Sequence, residues 1–309
     1  MIVTVTPNPA YDVTYEVASL SPGEVHRVST VRRRPGGKGV NVAAVLASLG
    51  TPVIATGLAT TGFGQDVERI GVRAAFVAAL PRVRSTLAIS HGPTTSLWEP
   101  GVAPRDPVAA AAALEAEVAR LLVDAHCLVV SGSLPPGVDP ALPVALARLA
   151  REHGVPCVLD VAGEALGLAA DGPGVVLMPN AEELAELCGP SRSLVEVADA
   201  SRRLLERGPS MVFATRGAEG LVLTTSEGSW HVPAVPGVTG NATGAGDAAT
   251  AAVARGLAAG HSPVAVAEEA VALAATAVAA PVAGVVDVPL YLRLRTGVAA
   301  QPLTTEGTR

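Results

Sequence analysis

The sequence lacks most features that mark a secreted, membrane-spanning or metal-binding protein. It has three cysteines, Cys127, Cys157 and Cys188, whose wide spacing matches neither a disulfide framework nor a metal motif. The longest apolar run, residues 270–286, is mostly alanine and valine and is interrupted by Pro281, which favours a buried helix over a bilayer span. The first residues are typical of a β-strand, without the basic segment that opens a secretory signal. We therefore expect reduced thiols and a cytoplasmic protein.

The chain also lacks an excess of positive charge. Its 309 residues include 22 basic and 28 acidic side chains, which gives a net charge of −6. This balance argues against nucleic acid or an anionic membrane as the main partner, because both bind through clustered cations. Any anion-binding function must therefore depend on a local group of basic residues.

Lysine is almost absent, since 21 of the 22 basic residues are arginine. The single lysine, Lys38, lies in residues 35–41 (Pro-Gly-Gly-Lys-Gly-Val-Asn), where a helix is predicted to begin. The first amides of a helix have no carbonyl partner, so glycines and a lysine at this position can form an anion site. A compact ammonium also fits where a guanidinium does not. Chance is the alternative explanation for a single lysine in an arginine-rich chain, and the fit of an ammonium at this position favours the functional one.

Residues 240–247 (Gly-Asn-Ala-Thr-Gly-Ala-Gly-Asp) are the most informative stretch of the chain. Gly244 and Gly246 permit a tight turn and close approach of a ligand, and an alanine-rich helix is predicted over 248–259. The start of that helix favours an anionic oxygen, and the neighbouring Asp247 can accept a proton. The same pattern also suits a plain connection with a capping aspartate, so the stretch alone leaves both interpretations open.

The rest of the pattern predicts an α/β fold, a mostly parallel central sheet covered by helices on both faces. Strands are predicted at 2–6, 53–57, 127–131, 157–160, 175–178, 211–215 and 221–225, with helices between most of them. Two regions, about 12–34 and 84–101, are predicted to form a small β-hairpin lid at the carboxyl edge of the sheet. The basic run 32–34 is predicted to be a solvated face. No repeat or linker divides the chain, so a single domain over 1–309 is expected.

Five motifs occur in order at predicted strand ends and helix starts. They are residues 6–12 (Thr-Pro-Asn-Pro-Ala-Tyr-Asp), 35–41, 131–137 (Ser-Gly-Ser-Leu-Pro-Pro-Gly), Pro179-Asn180 with Glu183, and 240–247. Together they resemble the PfkB-type, ribokinase-like carbohydrate kinases, and more narrowly the 1-phosphofructokinase and tagatose-6-phosphate kinase group. The resemblance covers nearly the whole chain. It implies a ribokinase-like three-layer α/β/α sandwich and an ATP-dependent sugar kinase.

The resemblance also implies a role for each matching position. Asp247 would be the catalytic base, and Gly244, Ala245 and Gly246 would hold the phosphoryl group during a direct in-line transfer. The residues implied to bind the sugar and its existing phosphate are Asp12, Arg27, Gly37, Lys38, Asn41, Arg84 and Ser133. Those implied to bind ATP are Asn180, Glu183, Thr215, Gly217 and Gly220. Asn180 and Glu183 would also hold Mg²⁺, through water.

The chain departs from the group mainly around the predicted lid. The group commonly has Thr-Arg-x-Asn with a lysine two positions on, whereas here Arg84 is followed by Thr86 and Ala88 at the asparagine and lysine positions. The segment 64–84 is several residues short, and Met178 replaces the usual lysine before Pro-Asn. The first two departures lie in or beside the predicted lid and bear on the choice of sugar, and they leave the catalytic stretch intact.

The expected reaction is conversion of fructose 1-phosphate to fructose 1,6-bisphosphate. Tagatose 6-phosphate, fructose 6-phosphate, an unphosphorylated sugar and a nucleoside remain alternative acceptors. A non-catalytic sugar-phosphate sensor is the alternative from another class, and the intact Asp247 argues against it, because binding alone needs no base. Exposed strand edges invite pairing, so a homodimer through the lid is also expected.

Overall fold

The structure, a computed structural model, describes residues 1–92, 94–240, 242–280 and 282–303. Four parts of the sequence predictions lie outside these ranges, namely Asn241 of the glycine-rich stretch, Pro93 of the predicted lid, Pro281 of the apolar run and residues 304–309.

Strands and helices account for most of the described chain. The strands are β1 (Ile2–Thr6), β2 (Ala10–Glu16), β3 (Thr30–Gly36), β4 (Val53–Ala59), β5 (Arg73–Ala74), β6 (Val77–Ala78), β7 (Arg84–Ser90), β8 (Thr94–Trp98), β9 (Cys127–Ser131), β10 (Cys157–Asp160), β11 (Val176–Leu177), β12 (Met211–Thr215), β13 (Leu221–Thr225), β14 (Gly228–Val232) and β15 (Gln301–Pro302). The α-helices are α1 (Lys38–Ser48), α2 (Phe63–Arg69), α3 (Pro107–Leu122), α4 (Leu142–Glu152), α5 (Gly163–Ala169), α6 (Ala181–Cys188), α7 (Leu194–Leu205), α8 (Ala245–Ala258), α9 (Pro263–Val278) and α10 (Val288–Leu294).

The large sheet has the strand order β15-β14-β13-β12-β11-β10-β9-β1-β4-β5, with β6 also beside β4. Pairing is parallel from β5 to β12 and antiparallel from β12 to β15. Every residue of β1 and β9 is buried, as expected for strands covered on both faces. The chain leaves β1 first for β4 on one side and later reaches β9 on the other. The carboxyl end of β1 therefore lies at a topological switch point, where open α/β sheets bind ligands.

Helices cover both faces of this sheet and complete three layers. One buried cluster joins α1, α2, α8 and α9 to one face, and a second joins α3 to α7 to the other face. The predicted three-layer α/β/α architecture with a mostly parallel central sheet is confirmed. The apolar run that begins at residue 270 continues α9, which packs in the first cluster. Over the described ranges, every helix is too short or too polar to cross a membrane.

Both predicted hairpin regions join in one small sheet, with the order β3-β2-β7-β8. The hairpins β2–β3 and β7–β8 are antiparallel, and parallel pairing of β2 with β7 connects them. Asp12 pairs with Arg34 on one side and with Thr86 on the other, so these three side chains share one face. The opposite face carries apolar side chains, among them Val31 and Leu97, which are 60% and 57% exposed.

Candidate active site

Asp247 lies in the first turn of α8, where the predicted anion site is built. Gly244 is the N-cap residue with φ of 90°, and a Cβ there would lie 2.9 Å from Cα of Ala283. Both conformation and space therefore require glycine at this position. The first hydrogen bond of the helix runs from the amide of Ala248 to the carbonyl of Gly244 (3.0 Å), so the amides of Gly246 and Asp247 precede it. Such amides at a helix N-terminus suit an anionic oxygen.

Asn41 connects Asp247 to the small sheet. The side-chain amide of Asn41 donates to Oδ2 of Asp247 (3.0 Å) and lies 3.5 Å from Oδ2 of Asp12. Asn41 and Asp247 are only 5% and 7% exposed, and the amide oxygen of Asn41 has no partner among the described residues. Helix α1, helix α8 and strand β2 thus bring one amide and two carboxylates to one point.

The surroundings of Asp247 favour its neutral form. Burial raises the pKa of Asp247 to about 7, and the nearby Asp160 and Asp12 add to the rise. Lys38 and the hydrogen bond from Asn41 act in the opposite direction. A carboxyl group with a pKa near neutrality can remove a proton from an alcohol that is held against it.

Lys38 is paired with a carboxylate that sequence reasoning did not select. Its Nζ lies 2.8 Å from Oδ1 of Asp160, and Ser131 donates to Oδ2 of the same carboxylate (2.7 Å). Burial acts to lower the pKa of Lys38, but the charges of Asp160, Asp247 and Glu183 outweigh it, and the net pKa is raised. Asp160 ends β10 beside the switch point, and its place at a strand end was the signal that could have identified it.

The glycines before α1 allow close packing around Asp12. A Cβ at Gly36 would lie 2.1 Å from Oδ2 of Asp12, and one at Gly37 would lie 2.9 Å from Cγ2 of Thr6. Gly37 is the N-cap of α1 and lies where the resemblance implies a substrate contact. Gly36 and Gly37 let α1 and the small sheet meet without side chains between them, whether or not Gly37 also contacts a substrate.

Arg84 and Ser133 are both hydrogen-bonded to Asn8. Nε of Arg84 donates to the carbonyl of Asn8 (3.2 Å) and Nη1 donates to that of Glu99 (2.8 Å). The side-chain amide of Asn8 donates to Oγ of Ser133 (3.3 Å). Thr86, at the position where the family commonly has asparagine, donates to Oδ1 of Asp12 (2.5 Å).

The structure does not bring Arg27 to this group. Arg27 is exposed in the connection between β2 and β3. That connection follows the last pair of the hairpin, Glu16 with Thr30, at the end of the hairpin that is far from Asp12. The other predicted acceptor residues cluster around Asp12, Asn8 and Asp160.

The predicted solvated face over residues 32–34 is only partly correct. Arg32 and Arg33 are exposed, but Arg34 is half-buried and donates through Nη1 to the carbonyl of Ala283, beside α8. Burial lowers the pKa of Arg34, against the opposing effect of Asp12 and Asp247. The physical reason is that Arg34 faces the same side as Asp12 and lies near the end of β3 that leads into α1, whereas Arg32 on the same face lies farther from that end.

The predicted nucleotide residues lie at the carboxyl ends of β11 and β12. Asn180 caps α6, because its Oδ1 accepts from the amides of Glu182 and Glu183 (both 2.9 Å). Oε2 of Glu183 accepts from the amide of Asn180 (2.8 Å), and burial raises the pKa of Glu183. Thr215 forms an isolated bridge with Asn180.

Two glycines follow Thr215 in the same loop. Gly217 has φ of 55° and open space where a Cβ would lie. Gly220 is packed so tightly that a Cβ would lie 2.1 Å from the carbonyl oxygen of Val232. Gly220 is therefore needed for the fold of β13 on β14 whether or not a nucleotide binds.

Comparisons with known proteins agree with this arrangement. The sequence model of one family, described as pfkB family carbohydrate kinase, matches residues 5–287. Phosphofructokinase-2 from Escherichia coli, solved with potassium, is 26% identical with a TM-score of 0.88, over 96% of this chain and 98% of that chain. A protein described as a possible 1-phosphofructokinase from Thermotoga maritima is 24% identical with a TM-score of 0.88, over 98% and 100% of the two chains. A ribokinase from Arabidopsis thaliana, solved with ribose and ATP, shares the fold at 22% identity and a TM-score of 0.74, over 95% and 98%. The chain therefore belongs to the pfkB family of carbohydrate kinases and is an ATP-dependent sugar kinase.

Proposed function

We propose that the protein transfers the terminal phosphoryl group of ATP to a ketose phosphate, converting fructose 1-phosphate to fructose 1,6-bisphosphate. The observation that carries the proposal is the buried Asp247 at the N-terminus of α8, hydrogen-bonded to Asn41 and with a pKa near 7. A base and an anion site occur side by side there, as transfer to a hydroxyl requires.

The reaction is a direct in-line displacement at phosphorus. The acceptor hydroxyl oxygen forms the new bond to the terminal phosphorus while the bond to the ADP oxygen breaks. Asp247 takes the hydroxyl proton and later releases it to solvent. The backbone around Gly244, Ala245 and Gly246 binds the phosphoryl oxygens, and Asp12 and Asn41 orient the sugar hydroxyls. Positioning and charge stabilisation supply most of the rate in such transfers.

The nucleotide lies against the loop that follows β12, at Thr215, Gly217 and Gly220. Glu183 fits a Mg²⁺ site through water, because it is a largely buried carboxylate with only one of its oxygens in the capping interaction. Asn180 differs, since both lone pairs of its side-chain oxygen already accept backbone amides. Asn180 therefore positions Glu183 within this proposal. Bound Mg²⁺ would supply positive charge to the nucleotide phosphates.

A phosphorylated acceptor is favoured by the cations of the site, because Arg84 lies near Asp12 and Lys38 lies near Asp247 in a protein of net charge −6. Lys38 and Arg84, with the hydroxyl of Ser133, are the proposed ligands of the existing phosphate. Arg27 is left out because of its distance along the hairpin. Escherichia coli phosphofructokinase-2 has been solved with fructose 6-phosphate, and this 26% identical protein makes fructose 6-phosphate the second candidate acceptor.

The small sheet acts in this proposal as a lid on a single catalytic domain, and two copies pair through it. Support comes from its apolar face opposite Asp12, where Val31 and Leu97 are exposed. Exposed apolar patches of this kind mark interaction surfaces. A dimeric mass by light scattering is expected, with a monomeric mass for Leu97→Lys. A monomeric wild type would reject the pairing.

A substrate panel tests the proposed function. Purified protein with Mg-ATP is offered fructose 1-phosphate, fructose 6-phosphate, tagatose 6-phosphate, free fructose, ribose and a nucleoside, and ADP release is measured. We expect the highest kcat/KM with fructose 1-phosphate and a bisphosphate product. Turnover of none of the hexose phosphates would refute the proposal. A strong preference for an unphosphorylated sugar would refute the phosphate-binding role of Lys38.

A further inference from the structure

Arg34 is a basic residue without an assigned role in the proposed reaction. It lies on β3 directly opposite Asp12 and on the same face of the small sheet. Its Nη1 donates to the carbonyl of Ala283, the residue whose Cα closely faces Gly244 at the start of α8. The guanidinium therefore lies where the small sheet meets the anion-binding end of α8.

The packing around Arg34 makes room for its guanidinium beside Asn41. Gly284 has φ of 70°, and a Cβ there would lie 2.9 Å from Nη2 of Arg34 and 2.8 Å from Oδ1 of Asn41. The guanidinium and the amide that holds Asp247 thus border the same point. A side chain at position 284 would displace both.

Most of the hydrogen-bonding capacity of Arg34 is free. Arginine has five N–H donors, and in the described part of the chain the Ala283 carbonyl is the acceptor that Arg34 contacts. No carboxylate lies within ion-pair distance of it among the described residues, whereas Arg32, two positions earlier on the same face, pairs with Glu16 (2.8 Å). A half-buried cation without a paired anion, next to an anion site, is complementary to a negatively charged ligand.

We infer that Arg34 is a catalytic residue, which contacts the phosphoryl group during its transfer and neutralises the charge on its oxygens. The inference rests on the proposed function, since it requires phosphoryl transfer to take place at the turn Gly244–Gly246, beside Asp247. A planar guanidinium presents two parallel N–H donors that match two phosphoryl oxygens, a fixed geometry that an ammonium lacks. The same cation also favours the ionised form of Asp247, through the attraction between the two charges.

Two other roles for Arg34 predict different results. As a structural strap, Arg34 would only tie β3 to Ala283, and its loss would lower stability without changing the chemistry. As a ligand of the phosphate already on the sugar, it would affect the KM of phosphorylated acceptors and leave kcat unchanged. A catalytic role places the loss in kcat for every acceptor.

The test compares Arg34→Ala and Arg34→Lys with the matched control Arg32→Gln. The control removes one positive charge from the same face of the same strand. Its kcat should stay within about twofold of the wild-type kcat, because an exposed pair such as Arg32 with Glu16 contributes ~0–1 kcal/mol. We expect Arg34→Ala to lower kcat about 10²–10³-fold with little change in the KM of ATP or the KM of the sugar, as for loss of one preorganised donor. Arg34→Lys retains the charge and the bond to Ala283, so a strap would survive in it. Added guanidinium ion should partly restore kcat to Arg34→Ala.

The outcomes separate this inference from the proposed function. If wild type phosphorylates no sugar, the proposed function fails. If wild type is active and depends on Asp247, but Arg34→Ala or Arg34→Lys keeps the wild-type kcat, the Arg34 inference alone fails. A rise in KM confined to phosphorylated acceptors, or lost stability with an unchanged kcat, would also overturn it.

Discussion

The side-chain amide of Asn41 donates to the carboxylate of Asp247 over 3.0 Å, although 206 residues separate them in the chain. This bond joins the two glycine-rich helix starts of the molecule, α1 and α8. It holds the proposed base at the edge of the small sheet, because the same amide nitrogen of Asn41 also lies 3.5 Å from Oδ2 of Asp12. The amide also partly offsets the cost of burying a carboxylate.

The first prediction concerns the pH dependence of the wild-type enzyme. Asp247 must be ionised to accept a proton, and its pKa is about 7. We expect kcat/KM to be constant at high pH and to fall tenfold for each pH unit below about 7. A profile that stays flat down to pH 5 would show that Asp247 is not the titrating base. Stability must be checked across the same range, so that unfolding is not mistaken for loss of the base.

The second prediction uses two neighbours that act on Asp247 in opposite directions. Asp160 raises the pKa of Asp247, so Asp160→Asn should move the acid limb of the profile to lower pH. The hydrogen bond from Asn41 lowers it, so Asn41→Leu should move the limb to higher pH. Both variants are expected to lose activity, but only the midpoints test the electrostatics. Shifts in the same direction would contradict the assigned network.

The third prediction is that Asp247→Asn stabilises the protein in alkaline solution. A rise in pKa from 3.8 to about 7 corresponds to about 4 kcal/mol between the two protonation states. The folded state holds this proton more tightly than the unfolded chain, so the free energy of unfolding falls as pH rises from about 4 to 7. The asparagine variant lacks this loss. Denaturant unfolding should show a higher free energy of unfolding for the variant than for wild type at pH 8 but not at pH 4. An equal gain at both pH values would be contrary evidence.

The fourth prediction separates backbone strain from site chemistry at two glycines. Gly284 and Gly260 both have φ of 70°, but only Gly284 has the Arg34 guanidinium and the Asn41 amide where a Cβ would lie. Gly260→Ala should cost about 1–2 kcal/mol in free energy of unfolding for the left-handed conformation, and Gly284→Ala should cost more, because its Cβ also displaces the two side chains. Gly284→Ala should also lower kcat strongly, while Gly260→Ala keeps it. Equal kcat values in the two variants would argue against a role for this contact.

Local sequence patterns predicted the central strands well. The bounds of β1, β9, β10, β12 and β13 match the predicted ones, because buried β-branched runs between turn residues determine such strands locally. Helix α5 and strands β14 and β15 were not predicted. Strand β15 is two residues long and exists only through its pairing with β14, which local sequence does not specify.

The candidate site was predictable where one segment builds it. The turn at residue 244, the helix that follows and the position of Asp247 all follow from neighbouring residues. Contacts between distant segments were not predictable, including the pairing of Lys38 with Asp160 and the joining of two hairpins through β2 and β7. Arg34 illustrates the same limit, since the basic run suggested a solvated residue, whereas the pairing of β3 with β2 and the contact with Ala283 partly bury it.

The most direct test of the account is product formation by wild type and Asp247→Asn, measured in parallel with Mg-ATP and fructose 1-phosphate. The account predicts one bisphosphate formed for each ADP released by wild type. It also predicts a loss of about 10²–10⁴-fold in kcat for Asp247→Asn, as expected when a general base is removed. The variant should remain folded and should still bind the sugar phosphate. Wild-type turnover in Asp247→Asn would contradict the central claim that this buried carboxylate activates the acceptor hydroxyl.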